Sequence, residues 1–366
     1  MTVHTEILLI AIAVSIACAI PGVFLVLRRM SMMADAITHT VFLGIVLAFF
    51  VTEDLNSPLL LVGATLVGVG TVWLTEMIHN TGLVNEDASI GIIFPLLFSI
   101  AIILVSLYSG NAHLDVDTAL LGEIAFAPFD RWIVNSTDLG PVSLWISLGV
   151  ALINLVLVML FYKELQLSTF DPLLAGLFGF MPVLIHYVLM TMVSLTVVAS
   201  FQAVGAILVI GLMIGPAVIA YLWTDSVKAM LISSIIIGII CAIIGTEVAF
   251  TLDVSIAGAI ATTIGLALLI AVICTPKTGY IATYLRQRHL RRHYREMMML
   301  CHIYTHMNTP VAAIENGIGS IHEHLNWKPD YTHQAASHLK KQGLLYVTNG
   351  YYTLTDKGVA QVKEII

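Results

Sequence analysis

Long apolar runs dominate the first 276 residues of the chain. Each run extends for about 20 residues, which at 1.5 Å per residue in a helix is enough to cross the roughly 30 Å hydrocarbon core of a bilayer. The pattern predicts nine membrane-spanning helices, or eight if the second run, which contains polar residues, does not cross. The predicted spans are residues 7–27, 33–51, 58–78, 88–108, 143–162, 182–200, 203–223, 229–250 and 254–274.

Composition and charge support this pattern and add a division near Pro276. Hydrophobic residues make up 58% of the 366 residues and charged residues only 11%, whereas a soluble domain has about 25% charged residues. Up to Pro276 there are 5 Lys and Arg against 17 Asp and Glu, and after it 11 against 6. We therefore predict an all-α multi-pass membrane domain at residues 1–276, followed by a basic region in water.

The positive charges also predict the orientation, because Lys and Arg near span ends favour the cytoplasmic side. If Arg28 and Arg29 lie inside, then Lys163, Lys228 and the basic C-terminal region also lie inside, and only Arg131 lies outside. The N-terminus is then outside and the C-terminus cytoplasmic. The outer loops are acidic, which suits docking of a partner or attraction of a cation, although acidic side chains also simply favour water.

The second span carries a carboxylate and an imidazole one helical turn apart, at Asp35 and His39. Residues at i and i+4 share one face of a helix. Ionisable residues in a membrane span are costly, and they usually face a cavity and mark an ion path. Oxygen and nitrogen ligands suit Mn, Fe or Zn. The alternative is an Asp–His contact that only holds two helices together.

A cytoplasmic segment after the fifth span, "STFDPLLAGLFGF" at residues 168–180, combines exposed-type apolar residues with helix-start signals. Asp171 suits an N-cap and Pro172 the first helical turn. We predict a short helix that docks on a partner, with a re-entrant connector as the alternative. The docking residues are predicted to be Phe170, Asp171, Pro172, Ala175, Gly176 and Gly179.

Two further stretches are weaker candidates for a pathway through the membrane. The segment "QAVGAILVIGLMIGPAVIAYL" at residues 202–222 is rich in glycine, which suits either close helix packing or a pathway lining. Glu247 lies near the outer end of the eighth span, where interfacial capping is the alternative. Glu76 and His186 also lie near span ends and receive no role. The predicted lining residues are Gln202, Gly205, Gly215 and Glu247.

The C-terminal region is predicted to contain two parts. Residues 277–300 form a basic amphipathic linker helix that follows the membrane surface or continues onward. Residues 301–366 have the order helix, hairpin, helix, with Asn349-Gly350 as the hairpin turn. The stretch "HLKKQGLLYVTNGYYTLTDKG" resembles winged-helix regulators, including iron- and manganese-responsive repressors, so a small α+β winged-helix-like domain is predicted.

Eight of the thirteen histidines lie in this C-terminal region. His289 and His293 are spaced i and i+4, as are His302 and His306. Such pairs on a helix hold Zn or Ni in some proteins, whereas solvated histidines on a polar face are commoner. The stretch "HIYTH" lacks the glutamate of the His-Glu-x-x-His metalloprotease motif, because position 303 is Ile.

Three stretches together resemble one known family: "GVFLVLRRMSMMADAITHTVFLGI", "STFDPLLAGLFGF" and "SFQAVGAILVIGLMIGPAVIAYL". In this order and spacing they resemble the membrane permeases of ATP-binding-cassette importers for manganese, zinc and iron, over residues 5 to 275. The resemblance implies that Asp35 and His39 contact metal in transit. It also implies that Phe170 to Phe180 form the coupling helix that inserts into the ATPase subunit.

The same resemblance implies the setting of the chain. The chain would lie in the plasma or inner membrane and work with an ATPase subunit, an extracytoplasmic metal-binding protein and a second permease, identical or sister. It contains no GxxxxGK[ST] phosphate loop, so ATP hydrolysis belongs to a separate chain and this chain is not an enzyme. No permanently bound cofactor is expected, only the transported metal.

Two other classes of function compete with transport. A membrane-embedded, metal-responsive regulator would sense metal through its spans and bind DNA or protein through the winged-helix-like C-terminal domain. A DNA duplex beside a membrane is hindered, so nucleic acid is not expected as a partner, and a protein contact with the ATPase is easier. An intramembrane metalloenzyme would need a base that activates water near the metal, and none is convincingly placed.

Overall fold

The computed structural model describes residues 2–53, 57–108, 124–134, 137–275 and 279–365. They form two compact units, Met1–Ile273 and Cys274–Ile366. The predicted domain boundary at Pro276 lies outside the described residues, as do residues 54–56 and 109–123 of the predicted outer loops.

The membrane unit is built from long apolar helices. Nine helices of the described residues are long and apolar enough to cross a bilayer, which confirms the predicted spans. Two short helices, Tyr162–Phe170 and Pro172–Leu177, lie between the fifth and sixth of them. The helices are α1 Val3–Leu27, α2 Ser31–Thr52, α3 Pro58–His79, α4 Glu86–Tyr108, α5 Val142–Leu160, α6 Tyr162–Phe170, α7 Pro172–Leu177, α8 Pro182–Val204, α9 Ala206–Trp223, α10 Val227–Leu252 and α11 Ile256–Cys274.

Helix α1 lies at the centre of this unit and is almost entirely buried by α5, α8, α9 and α10. Its glycine permits a very close approach, because a Cβ on Gly22 would lie 1.9 Å from the carbonyl oxygen of Met213 in α9. Asn154 of α5 donates to the carbonyl oxygen of Ala17 at 3.1 Å and to Thr196 Oγ1 of α8 at 2.7 Å. Small residues and satisfied polar groups hold helices together where the hydrophobic effect cannot.

Helix α2 is fixed on one side by α3. A Cβ on Gly44 would lie 2.4 Å from the Cα of Ala64, and Thr71 Oγ1 donates to Thr40 Oγ1 at 2.8 Å. Gly44 and Thr40 therefore face α3, whereas Asp35 and His39 remain partly exposed.

The membrane unit is not purely helical. It also contains a short antiparallel hairpin, β1 Arg131–Val134 and β2 Thr137–Pro141, which the sequence did not predict. Arg131 Nη2 donates to both carboxylate oxygens of Glu6, at 2.7 and 2.8 Å. Glu6 is buried at the beginning of α1. Arg131, the one Lys or Arg that the predicted orientation placed outside, therefore connects the hairpin to α1.

Asp138 completes this connection on the hairpin itself. It accepts the backbone N–H of Gly140 at 2.9 Å and pairs with Arg131. These two contacts hold the pKa of the Asp138 carboxyl below its usual range. The β1–β2 hairpin thus keeps an ionised carboxylate beside Arg131.

The C-terminal unit is a small α+β fold with its own apolar core. Asn349 and Gly350 both have positive φ, at 51° and 84°, as a two-residue hairpin turn requires. The predicted order of helix, hairpin and helix is present, and the resemblance to winged helices stays a prediction. The elements are α12 Tyr280–His306, α13 Ala312–Glu315, α14 Ile321–His324, α15 Pro329–Lys341, β3 Leu345–Thr348, β4 Tyr351–Leu354 and α16 Asp356–Ile365.

Helix α12 differs from the prediction in its extent. It runs from Tyr280 to His306 without a break, so the predicted linker 277–300 and the predicted domain 301–366 share one helix. Glu296, Met299, Leu300 and Ile303 are buried, which makes the second half of the helix part of the apolar core.

The Glu6–Arg131 contact predicts a stability effect. Arg131→Ala leaves the buried Glu6 carboxylate without a counterion, and we expect a lower melting temperature. The decrease should be smaller than for a fully buried pair, because Arg131 is exposed and solvent screens its charge. Thermal unfolding of the purified protein in detergent measures the decrease. The control Glu6→Gln/Arg131→Ala should recover much of it, and equal stability of Arg131→Ala and wild type would contradict the assignment.

Candidate functional site

The Asp35–His39 pair lies on α2 as the sequence predicts. His39 Nε2 is 3.6 Å from Asp35 Oδ1, and the two side chains are 28% and 40% exposed. This separation is too long for a hydrogen bond. It is close to the roughly 3.4 Å between two ligand atoms of a tetrahedral metal with bonds near 2.1 Å. Both side chains therefore retain the capacity to bind a metal.

Aromatic rings from α4 cover one side of the imidazole. The ring centroid of His39 lies 5.1 Å from that of Phe94 and 5.9 Å from that of Phe98. In the part of the chain that the structure describes, no third His, Cys, Asp or Glu completes a metal-holding group with Asp35 and His39. A metal bound here would thus have two protein ligands among the described residues, Asp35 and His39.

Along α2 the pair lies near the end that joins α1. Asp35 and His39 follow Ser31 by four and eight residues, which corresponds to about 6 and 12 Å along the helix axis. Both residues therefore lie in the half of α2 nearest Arg28 and Arg29.

The coupling segment, residues 168–180, contains α7 and has the predicted start. Asp171 Oδ1 accepts the backbone N–H of Leu174 at 2.9 Å, and Pro172 occupies the first turn. Ala175 is fully buried, so it sets α7 against the rest of the unit. Gly179 has a φ of +84° and turns the chain towards α8.

Apolar side chains project from this segment. Between 62% and 84% of each of five large apolar residues is exposed. Isolated exposed apolar residues are ordinary, whereas a contiguous group marks an interaction site. These residues form what we call the apolar docking patch: Phe170, Leu173, Leu177, Phe178 and Met181.

Arg28 has a structural role that the sequence reading missed. Its Nη2 donates to Ser168 Oγ at 2.8 Å and its Nε donates to Thr169 Oγ1 at 3.1 Å. Its Nη1 donates to His186 Nδ1 of α8 at 3.2 Å. The guanidinium therefore joins the α1–α2 turn, the beginning of the coupling segment and α8.

Glu76 and His186, which received no role from the sequence, continue this network. His186 Nε2 lies 2.7 Å from Glu76 Oε1, and the Tyr187 hydroxyl donates to Glu76 Oε2 at 2.7 Å. The signal that could have found them is the one that drew attention to Asp35: an ionisable side chain in an apolar helix. Glu76 and His186 lie in α3 and α8, which are far apart in sequence.

The predicted pathway residues have different surroundings. Gly205, with a φ of +78°, is the single residue between α8 and α9, so the predicted outer loop 200–203 belongs to α8 and the break lies between two spans. Gln202 is exposed beside this otherwise buried turn. A Cβ on Gly215 would lie 2.2 Å from Ile264 Cγ2, which is a packing contact. Glu247 lies 3.4 Å from His4 Nε2.

Comparison with known proteins gives a consistent set of matches. The sequence model of the "ABC 3 transport family" matches residues 2–275. The chain is 42% identical to "Zinc transport system membrane protein TroD" of Treponema pallidum (strain Nichols), over 97% of this chain and 96% of that protein. It is 42% identical to "Manganese transport system membrane protein MntD" of Bacillus subtilis (strain 168), over 80% of this chain and 99% of that protein.

A solved structure is also similar. The structure described as "PsaBC from Streptococcus pneumoniae in complex with Fab" superposes with a TM-score of 0.65 at 28% identity. The match covers 79% of this chain and 96% of that chain. The similarity therefore extends over the helical architecture as well as the sequence motifs.

The Arg28 network predicts local stabilisation of the coupling segment. Ser168→Ala/Thr169→Val removes both hydroxyl acceptors but leaves Arg28 and its charge in place. Because a hydrogen bond to a charged group contributes about 1.5–3 kcal/mol, we expect amide hydrogen exchange in residues 165–180 to accelerate at least about tenfold. Thr191→Val, which removes a hydroxyl bonded only within its own helix, is the matched control. Unchanged exchange in the double variant would refute this role of Arg28.

Proposed function

The chain belongs to the ABC 3 transport family, and we propose that it is the permease of an ATP-driven importer that carries Mn, Zn or Fe as divalent ions. The observation that carries the proposal is the Asp35–His39 pair, two metal-ligand side chains that are partly exposed in an otherwise apolar helix. Such residues in a membrane span mark an ion path.

A second permease completes the metal path in this proposal. Two protein ligands are too few for the tetrahedral or octahedral coordination that these ions prefer. If the exposed faces of α2 from two permeases meet, they supply two carboxylates and two imidazoles. The ion then exchanges part of its water for these ligands as it passes and leaves again, because no single chain encloses it.

Oxygen and nitrogen ligands together also favour the proposed class of cargo. A carboxylate suits Mn, an imidazole suits Zn and Fe, and neither provides the soft sulfur that selects Cu(I). The Phe94 and Phe98 rings beside His39 restrict water on one side of the imidazole.

Energy for transport comes from a separate ATPase subunit that docks on the coupling segment. The apolar docking patch is the contact surface, and the Asp171 cap keeps α7 helical when the partner pushes on it. Movement of α7 reaches Ser168 and Thr169, then Arg28, and through Arg28 the turn that begins α2. Asp35 is the seventh residue after Arg28.

The outer face receives the metal from an extracytoplasmic binding protein. We place the N-terminus and the β1–β2 hairpin outside, and the C-terminal unit in the cytoplasm. The acidic outer segments then provide a negative surface for the binding protein and the incoming cation. Arg131, the single basic residue on this side, is neutralised by Glu6 and Asp138.

The transport proposal predicts loss of metal uptake when the pair is changed. Asp35→Asn and His39→Gln keep the size of each side chain but weaken or remove its metal ligand. We expect each to reduce uptake of radiolabelled Mn or Zn at least about tenfold in cells with the complete transporter, because second-shell changes alone cost roughly 10–100-fold in metal affinity. Asp87→Asn, an exposed carboxylate on α4, is the control. Normal uptake by both α2 variants, at normal membrane levels, would overturn the assignment.

The docking proposal predicts loss of ATPase association when the patch is made polar. Leu173→Ser/Leu177→Ser removes two anchors that are each 84% exposed. Since an interface anchor contributes at least about 2 kcal/mol, co-purification of the ATPase subunit should fall more than about tenfold. Leu83→Ser, at a similarly exposed leucine between α3 and α4, should co-purify normally. The proposal fails if the patch variant and this control retain equal amounts of ATPase.

A further inference from the structure

A second group of metal-ligand side chains lies in the C-terminal unit, apart from Asp35 and His39. It contains three imidazoles and one carboxylate from α12, α13 and α14. His302 and His306 occupy successive turns at the end of α12. Glu315 ends α13 and His324 ends α14. We call these four residues the tail cluster.

The side chains of the tail cluster converge. His302, His306 and Glu315 each offer a ligand atom, and these atoms all lie within 4.8 Å of one another. Glu315 Oε2 is 3.0 Å from His324 Nδ1 and 3.9 Å from His302 Nε2. The ring centroid of His302 lies 4.8 Å from that of His306 and 6.2 Å from that of His324.

The backbone that carries these side chains is fixed by the core of the unit. Ile303 and Ile321 are fully buried, and they lie in the helices that bear His302 and His324. Asn316, also buried, follows Glu315 directly. The side-chain Nδ2 of Asn316 donates to the backbone carbonyl oxygen of Ile303 at 3.3 Å, and the backbone carbonyl oxygen of Asn316 accepts the backbone N–H of Tyr352 at 2.9 Å. The four ligand residues are thus held next to one another without depending on contacts among themselves.

The charges of the tail cluster favour a cation. Glu296, elsewhere in the same unit, has both Arg292 and His338 beside its carboxylate. Among the described residues, the ion-pair partners of Glu315 are imidazoles alone. Neutral imidazoles leave the negative charge of Glu315 uncompensated, and a bound divalent ion would neutralise it while using the lone pairs of the rings.

We propose that His302, His306, Glu315 and His324 form a second divalent-metal site, of the class that binds Zn²⁺. Three imidazole nitrogens and one carboxylate oxygen match the ligands and the coordination number of protein zinc. The ligand atoms of His302, His306 and Glu315 now lie within 4.8 Å of one another, and His324 Nδ1 lies 3.0 Å from Glu315. Around a tetrahedral zinc all four ligand atoms would be separated by roughly 3.3 Å. Half-buried side chains on a fixed backbone reach this by rotation about their own bonds.

Metal binding at this site would join three elements that short connections now hold together. The ion would connect the end of α12 to α13 and α14, and so stiffen the segment 302–324.

By contrast, His289 and His293, the other i and i+4 pair predicted from the sequence, are both exposed on α12. The group of three or more metal-ligand side chains found in the described residues includes neither of them.

The experiment uses the purified full-length chain carrying Asp35→Asn/His39→Gln, so that binding in the membrane unit does not contribute. Co²⁺ is the probe, because a tetrahedral site with nitrogen and oxygen ligands gives visible absorption bands, and Zn²⁺ is added to displace it. We expect one Co²⁺ per chain, tetrahedral bands and displacement by one equivalent of Zn²⁺. His306→Gln and Glu315→Gln should each weaken binding more than the roughly 10–100-fold that loss of an outer-shell partner costs.

His322→Gln is the matched control, since His322 lies on the same short helix as His324 but outside the tail cluster. It should bind Co²⁺ as the parent does. Zn²⁺ should also raise the melting temperature of the parent and of His322→Gln, but not that of His306→Gln. The proposal is overturned if Co²⁺ gives no tetrahedral bands, or if all three variants bind it equally. Because the readout is metal binding and not uptake, its failure leaves the transport proposal untouched.

Discussion

An ionised carboxylate in a membrane-spanning helix costs about 2.5–3.5 kcal/mol even by insertion scales, and the surroundings of α2 reflect this cost. One side of the helix packs against α3 through Gly44 and a threonine pair, leaving no space for a charge. Asp35 and His39 lie where their side chains remain partly exposed. A carboxylate kept in this position requires water, a cation or another chain beside it, and the proposed metal path between two permeases would supply all three.

Arg28 connects the turn before α2 to the coupling segment and to α8. A long guanidinium at a helix junction can donate to several partners at once, and here it reaches two hydroxyls of the coupling segment and an imidazole of α8. The same residue belongs to the charge pattern from which the membrane orientation is predicted. One side chain thus relates the docking patch, the turn before α2 and the Glu76–His186 contact, and the coupling proposal depends on this continuity.

The sequence predicted those features that depend on neighbouring residues. The nine spans follow from run length, the Asp171 cap and Pro172 from local helix chemistry, and the Asn349-Gly350 turn from its requirement for positive φ. Contacts between distant residues were missed. Arg131 contacts Glu6, which is 125 residues away in sequence, and Arg28 contacts His186, which is 158 residues away. The periodicity of apolar residues gives no information about such pairs. The tail cluster shows both cases, because His302 and His306 were visible as a helical pair while Glu315 and His324 join them only in the fold.

Pulsed electron paramagnetic resonance of Mn²⁺ bound to the assembled transporter would report whether Asp35 and His39 contact the metal. The permease should carry His302→Gln/His306→Gln, so that tail imidazoles contribute no signal. We expect nitrogen modulation from a directly bound imidazole and its loss in His39→Gln. Modulation that persists in His39→Gln, or its absence from the parent when Mn²⁺ is bound, would show that His39 does not bind the metal.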